Sequence, residues 1–195
     1  MIDLPLFNLF AGITSFVLGA IFGSFGNVVI VRLPKNESVV LPRSRCVACG
    51  TAIRWFDNIP IFSWLLLRGR CRACKKSFSS RYLIFELVMA LVFVGVYQVD
   101  GLSWSLLEHW IFVWGLLVVS FIDIELYIIP DKLSLSGLVI GLVGAALNPD
   151  RSLLQSVIGV MLGGGFLWCL AFIYYSLRNT EGLGGGDIKL LDRKS

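Results

Sequence analysis

Histidine and charged residues are scarce in this sequence. Among 195 residues there is one histidine, His109, and only 15% of the residues are charged. A single histidine argues against Ser-His-Asp or Cys-His catalysis, and its place beside Trp110 is typical of a membrane interface. The rest is strongly apolar: 56% of the residues are hydrophobic and the mean hydropathy is +0.80. This composition excludes an ordinary soluble domain and predicts a polytopic membrane protein.

Long apolar runs supply the predicted membrane helices. A helix needs about 20 apolar residues to cross the hydrocarbon core, and five runs approach or exceed that length. No Lys or Arg precedes the first run, which is also too long for the apolar region of a signal peptide, so it is expected to be a membrane helix. Residues 59–67 are apolar but too short to cross, and they are expected to be interfacial or buried. The five runs are residues 6–31, 83–99, 104–122, 133–148 and 153–177.

Basic residues are concentrated in one loop. Residues 32–81 contain eleven of the seventeen Lys and Arg, against two acids, Glu37 and Asp57. The positive-inside rule predicts that this loop is cytoplasmic and that the N-terminus is periplasmic. The alternation of spans then brings Asp123 and Asp187 to the cytoplasmic face. Topology alone explains the charge, attraction to anionic lipid headgroups is a further expectation, and no recognisable module indicates nucleic-acid binding.

The same loop contains two C-x2-C pairs. Cys46 and Cys49 are separated from Cys71 and Cys74 by 21 residues, a spacing close to that of a zinc ribbon. Four thiolates suit tetrahedral Zn²⁺ and leave no open position, so the predicted role is structural. Four reduced thiols or two disulfides are the alternatives, and a cytoplasmic location disfavours the disulfides.

Two aspartates carry the strongest indication of chemistry. Asp123 and Asp187 both follow long apolar runs, and Asp187 comes directly after the run of glycines at residues 184–186. A carboxylate at a membrane edge is costly to desolvate, and a pair of them suggests a dyad that shares a proton. The alternative for Asp187 alone is a helix N-cap after a glycine turn. A phosphate loop is disfavoured, because an acid rather than Lys-Ser or Lys-Thr follows the glycines.

These residues resemble the type IV prepilin peptidases, which belong to the GxGD aspartyl proteases of the membrane. Residues 23–34 are similar to the opening segment of that family, and the two cysteine pairs to its cytoplasmic zinc loop. Residues 57–64, residues 68–71 and the Arg81-Tyr82 pair with Glu86 follow in the family's order. Asp123 with residues 129–131 resembles the first catalytic motif, and residues 184–189 resemble the second. The resemblance runs from about residue 19 to residue 191.

The resemblance implies a function. Members of the family cleave the leader from type IV prepilins or type II secretion pseudopilins, and many then N-methylate the new N-terminus with S-adenosylmethionine. Asp123 and Asp187 would be the catalytic pair, Asp131 would cap the following helix, and Glu125 would contact the basic leader. The implied partners are the precursor protein and the lipid bilayer of the bacterial cytoplasmic membrane. Further motif positions that would support substrate binding are Gly184, Gly186, Lys189 and Pro130.

The resemblance also suggests an organisation and two alternatives. Residues 1–33 would form the first membrane helix, residues 34–81 the zinc loop, and residues 82–195 a peptidase domain shortened at its C-terminus. The expected fold is therefore an all-α integral membrane protein with about five transmembrane helices and a cytoplasmic zinc loop. The first alternative is a shortened, inactive homologue that binds pilin precursors or secretion components. The second is a methyltransferase that has lost proteolysis.

Overall fold

The computed structural model describes residues 4–128, 130–148, 152 and 154–162. Within these ranges the chain is mainly helical, and its longest non-helical part is the loop between the first and third helices. That loop contains a 3-10 turn at Leu33–Lys35, a second at Trp55–Asn58 and a one-turn helix, α2. Residues 154–162 are also helical. The α-helices are α1 (Leu4–Arg32), α2 (Phe62–Leu66), α3 (Arg81–Asp100), α4 (Trp104–Leu126) and α5 (Asp131–Leu147).

The predicted all-α membrane fold is confirmed. Three helices within the described ranges are long and apolar enough to cross a membrane: α1, α3 and α4. They coincide with the first three predicted runs. The fourth run is the 17-residue helix α5, at the lower limit for a span. The fifth run extends past the described residues, and residues 59–67 contain only the short helix α2.

Small residues allow α1 and α3 to pack closely in the unit that ends at Phe121. A Cβ atom added to Gly19 would lie 2.7 Å from the Cα atom of Ala90, and one added to Gly23 would lie 2.8 Å from the Cα atom of Glu86. Both distances are too short for a side chain, so glycine is required for this backbone contact. The Asn27 side-chain amide also donates a hydrogen bond to the Tyr82 carbonyl, 3.1 Å away.

Replacing Gly19 by alanine is expected to destabilise the protein by about 1–3 kcal/mol, because the new methyl group would overpack the α1–α3 contact. Gly12 in the same helix is a matched control, since nothing lies within 4 Å of a Cβ atom added there. Gly12→Ala is therefore expected to be neutral or slightly stabilising, because alanine favours the helix more than glycine does. The thermal unfolding midpoints of both variants in one detergent would test this, and equal midpoints would contradict the described packing.

Aromatic side chains join α4 to α1 and α3. The rings of Trp110 and Phe93 stack with centroids 4.9 Å apart, and the Trp110 indole N–H donates to the Phe93 carbonyl. Trp114 stacks on Phe25 at 5.7 Å and donates to a carbonyl of α1. Phe121 meets α3 in an edge-to-face contact. Partly buried indoles whose N–H groups are hydrogen-bonded fix the position of α4 along the other two helices.

A side-chain contact links the end of α3 to the first turns of α4. His109 Nδ1 lies 2.6 Å from Asp100 Oδ2. The sequence predicted only that this histidine lies at an interface, because its pairing with an acid nine positions away depends on how the two helices meet. The contact stabilises the α3–α4 turn and gives the single histidine a structural role.

The described residues from Ile122 onward belong to a second compact unit. It contains the last turn of α4, the helix α5 and the helical residues 154–162. Tyr127 ends α4 with a positive φ of 55°, and its amide donates to the Asp123 carbonyl at 2.8 Å. A left-handed residue of this kind commonly ends a helix, and here it separates α4 from α5.

Candidate functional site

The two cysteine pairs lie in two turns with the same backbone pattern. The Cys46 amide donates to the Thr51 carbonyl, and the Cys71 amide donates to the Lys76 carbonyl, both at 2.9 Å. Each turn also contains a residue with positive φ just after its second cysteine, Gly50 at 70° and Lys75 at 60°. These left-handed residues let the chain turn back after each cysteine pair. Equivalent turns point both pairs of sulfurs toward a common centre.

The four cysteine sulfurs form a cluster that can hold a metal ion. All four Sγ atoms lie within 4.8 Å of one another, and none is in a disulfide. Cys46 Sγ is 3.8 Å from Cys74 Sγ, and Cys49 Sγ is 4.0 Å from Cys71 Sγ. A tetrahedron with metal–sulfur bonds of about 2.3 Å has edges of about 3.8 Å, so these separations fit four-coordinate binding.

The thiols of the cluster differ in acidity. Hydrogen bonding with the Thr51 side chain and backbone lowers the pKa of Cys49 to about 6. Backbone amides, first that of Cys74, also lower the pKa of Cys71. The Lys76 amide lowers the pKa of Cys74, but burial and the neighbouring sulfurs raise it more, to about 11. Adjacent thiolates repel each other, so a bound cation favours ionisation of all four thiols.

An ion pair holds the second cysteine turn against the rest of the loop. Arg72 forms a two-pronged contact with Asp57, whose side chain is only 9% exposed, and its Nη2 atom lies 2.6 Å from Oδ1. The Arg72 guanidinium lowers the pKa of the Asp57 carboxyl. Asp57 belongs to the 3-10 turn Trp55–Asn58, so this pair fixes the segment between the cysteine pairs to the cysteine cluster.

Glu86 attaches the loop to the membrane helices. This buried residue of α3 accepts a hydrogen bond from the Ile61 backbone amide at 2.7 Å, and its carboxylate also contacts the Ser24 side chain of α1. Ile61 has a φ of +62°, which is unusual for a β-branched residue and therefore strained. The sequence placed Glu86 in a motif without assigning it a role. An acid inside an apolar run was the available signal.

Asp123 lies at the end of α4. It is the fourth residue from the end of the helix, and its side chain is exposed, as is that of Glu125. The following segment places the half-buried Pro130 at the N-cap of α5, which begins at Asp131. Asp131 is therefore the first helical residue, where an acid is favoured by the helix dipole. Asp123 in the first predicted acidic motif thus lies near the end of α4, and Pro130 and Asp131 lie at the start of α5.

The second predicted acidic motif lies outside the described residues. It comprises Gly184, Gly186, Asp187 and Lys189. The pairing of Asp123 with Asp187 therefore stays a prediction. Of the predicted site residues, the structure brings together the four cysteines, and it places Asp123 and Glu125 on one helix end.

Comparisons with known proteins match the chain in two adjoining parts. A family model described as "Bacterial Peptidase A24 N-terminal domain" matches residues 17–99, which include all four clustered cysteines. A second, described as "Type IV leader peptidase family", matches residues 110–192, which include both aspartates. No solved structure matches the chain.

Curated relatives extend the match to most of the chain. A Dichelobacter nodosus protein is 34% identical over 98% of this chain and 75% of its own length. A relative from Aeromonas hydrophila is 38% identical over 90% of this chain and 69% of its own length. One from Myxococcus xanthus is 36% identical over 94% of this chain, which spans only 53% of that protein. All three are named "Prepilin leader peptidase/N-methyltransferase".

Proposed function

Because this chain belongs to the type IV leader peptidase family, we propose that it is a membrane aspartyl endopeptidase. Its substrates are type IV prepilins or type II secretion pseudopilins, from which it removes the N-terminal leader. The observation that carries the proposal is the position of Asp123. It is an exposed acid at the end of a helix long and apolar enough to span a membrane, inside the peptidase match.

The proposed chemistry uses Asp123 and Asp187 as a pair. One carboxylate, ionised, takes a proton from water while the water oxygen attacks the scissile carbonyl carbon. The other, protonated, donates a hydrogen bond to the carbonyl oxygen. Collapse of the tetrahedral intermediate breaks the C–N bond and returns a proton to the leaving amine. Two nearby carboxylates hold one proton jointly, so both states belong to the pair.

The site lies at the cytoplasmic face of the bacterial inner membrane in this proposal. The concentration of basic residues in the loop between α1 and α3 supports a cytoplasmic loop and a periplasmic N-terminus. Three spans, α1, α3 and α4, then return Asp123 to the cytoplasmic side. A basic leader held on that side by the positive-inside rule would meet the acids there, and Glu125 and Asp131 would add negative charge near it.

Zinc is the metal we assign to the cysteine cluster. Four thiolates in a tetrahedral arrangement favour Zn²⁺, and the closed ligand set gives it a structural role. The loop from Asn36 to Ser80 contains only short helical turns, so the metal would supply much of its folding free energy.

N-methylation of the new N-terminus is the second proposed activity. The name shared by the relatives supports it, since it includes "N-methyltransferase". S-adenosylmethionine would supply the methyl group: its S–CH3 bond would break as the new N–CH3 bond forms at the free α-amine, S-adenosylhomocysteine would leave, and the amine would lose a proton. Methylation would follow cleavage, because the amine does not exist before the leader is removed.

The test is incubation of the purified chain in lipid with a prepilin, with leader release followed by mass spectrometry. We expect a cleaved product lacking the leader and, with S-adenosylmethionine present, a further increase of one methyl group. A curated relative with the same substrate is the positive control. If the chain binds the precursor without cleaving it, the protein is a binding protein and not a peptidase. If the chain methylates pre-cleaved pilin but does not cleave the precursor, methyl transfer is its activity and proteolysis is not.

A further inference from the structure

A groove of about 920 Å³ lies between α1 and the loop that follows it. Its α1 side includes Val17 and Ile21, which are 49% and 50% exposed, and its loop side includes Trp55 and Phe62, which are 80% and 56% exposed. The volume is near the upper end for a ligand pocket, and the lining is mainly apolar. Val17 and Ile21 belong to a helix that can span a membrane, where the bilayer covers such side chains, whereas the exposed Trp55 and Phe62 of the loop indicate that something other than water covers them there.

The charged groups that line the groove are both arginines, Arg32 and Arg43. Arg32 lies at the end of α1, and one of its guanidinium nitrogens donates to the Ser38 carbonyl at 3.0 Å. Within the part of the chain that the structure describes, neither guanidinium forms an ion pair with an acid. The nearby acid Asp57 is already occupied by Arg72. The groove therefore has a mainly apolar lining and two arginines that no described acid pairs with.

The length of the groove matches one leaflet of a bilayer. Its lining on α1 runs from Phe16 to Arg32, which at 1.5 Å per residue is about 24 Å. Half of a bilayer including its headgroups is about 20–22 Å thick. An amphiphile with its acyl chain beside Phe16 and Val17 would thus have its headgroup at the level of Arg32.

We propose that this groove is a binding site for one anionic phospholipid, with its phosphate between Arg32 and Arg43 and an acyl chain along α1. A zwitterionic lipid gains less from the two guanidinium groups, and a basic peptide is repelled by them. The bound lipid covers Trp55 and Phe62 and joins the loop to α1. Because it contacts the segment that Glu86 holds, it stabilises the placement of the loop on the membrane helices.

The experiment measures lipid binding to the purified full chain by native mass spectrometry, with phosphatidylglycerol and phosphatidylcholine compared at equal concentration. Arg32→Gln with Arg43→Gln is the test variant. Arg45→Gln with Lys76→Gln is the control, since it removes the same charge from exposed positions of the same loop that do not line the groove. Val17→Trp, which fills the apolar part, is a second test that keeps both charges.

We expect wild type to prefer phosphatidylglycerol. The double arginine variant is expected to lose about 30-fold in affinity for it, about fivefold for each charge, while the control variant loses much less. Val17→Trp is expected to weaken the binding of both lipids. Equal losses of phosphatidylglycerol affinity in the two charge variants would overturn the proposal, because the overall positive charge of the loop would then explain the binding. Unchanged lipid affinity with weaker prepilin binding would assign the groove to the substrate instead.

Discussion

Replacing either Asp123 or Asp187 by asparagine is expected to abolish leader release, with a loss of at least about 10³-fold in cleavage rate. Asparagine has nearly the same shape but can neither accept the proton from water nor supply one. Asp123 is exposed at the end of α4, so its substitution leaves no buried group unpaired and the protein should stay folded. The measurement is leader release by mass spectrometry, with single-turnover rates for both variants.

Glu37→Gln is the matched control for the aspartate substitutions. Glu37 is an exposed acid of the loop, so the variant removes one carboxylate without touching the proposed pair. Its cleavage rate is expected to stay within about twofold of wild type, since an exposed charge contributes little. Thermal unfolding must be the same in all variants. Cleavage retained in Asp123→Asn, with the protein folded, would remove Asp123 from the mechanism.

Removing the metal is expected to unfold the loop while leaving the membrane helices intact. A structural zinc ion contributes roughly 10–16 kcal/mol of binding free energy, far more than a loop of this size can supply from its own packing. Cys46 is only 2% exposed, and its sulfur is 3.8 Å from that of Cys74. Serine at this position therefore removes one of the four sulfur ligands at the buried side of the cluster. Purified wild type should contain about one zinc per chain, and Cys46→Ser almost none.

Limited proteolysis is the readout for this second prediction. Cys46→Ser, or wild type with a strong chelator, should be cut rapidly at the loop's basic residues, whereas circular dichroism should show little loss of helix. The matched control is Cys169→Ser, the same substitution at the cysteine outside the C-x2-C pairs. One equivalent of zinc and full resistance in Cys46→Ser would mean that the cluster binds no metal with all four sulfurs.

Local patterns were sufficient to predict the membrane helices and the cysteine cluster. Apolar runs longer than about 18 residues have few alternatives to a spanning helix, and α1, α3 and α4 follow them closely. A turn residue follows each of the two C-x2-C pairs. To predict the cluster it was enough to assume that both pairs bind one metal ion, and the four sulfurs do lie within 4.8 Å of one another. The membrane helices are predicted from residues within one segment, and the cysteine cluster is predicted from the ligands that one metal ion requires.

Other contacts could not be predicted because they join distant positions. The hydrogen bond from the Ile61 amide to Glu86 and the ion pair between Arg72 and Asp57 both depend on where the loop lies against α3 and against itself. Glu86 was visible as an acid in an apolar run, but its partner was not. Likewise, nothing in the run that contains Gly19 indicated that a single atom added there would meet the backbone of α3.

The sequence by itself determined the membrane-protein class, the basic loop, the four candidate metal ligands and the two candidate catalytic acids. These follow from hydropathy, charge and ligand chemistry, which are properties of residues and their spacing. Only the tertiary structure decided which faces of α1 and α3 meet and how Glu86 holds the loop. It also decided that a groove with two arginines runs along α1. Such features arise because packing and hydrogen bonding select among the many arrangements that the same helices and turns allow.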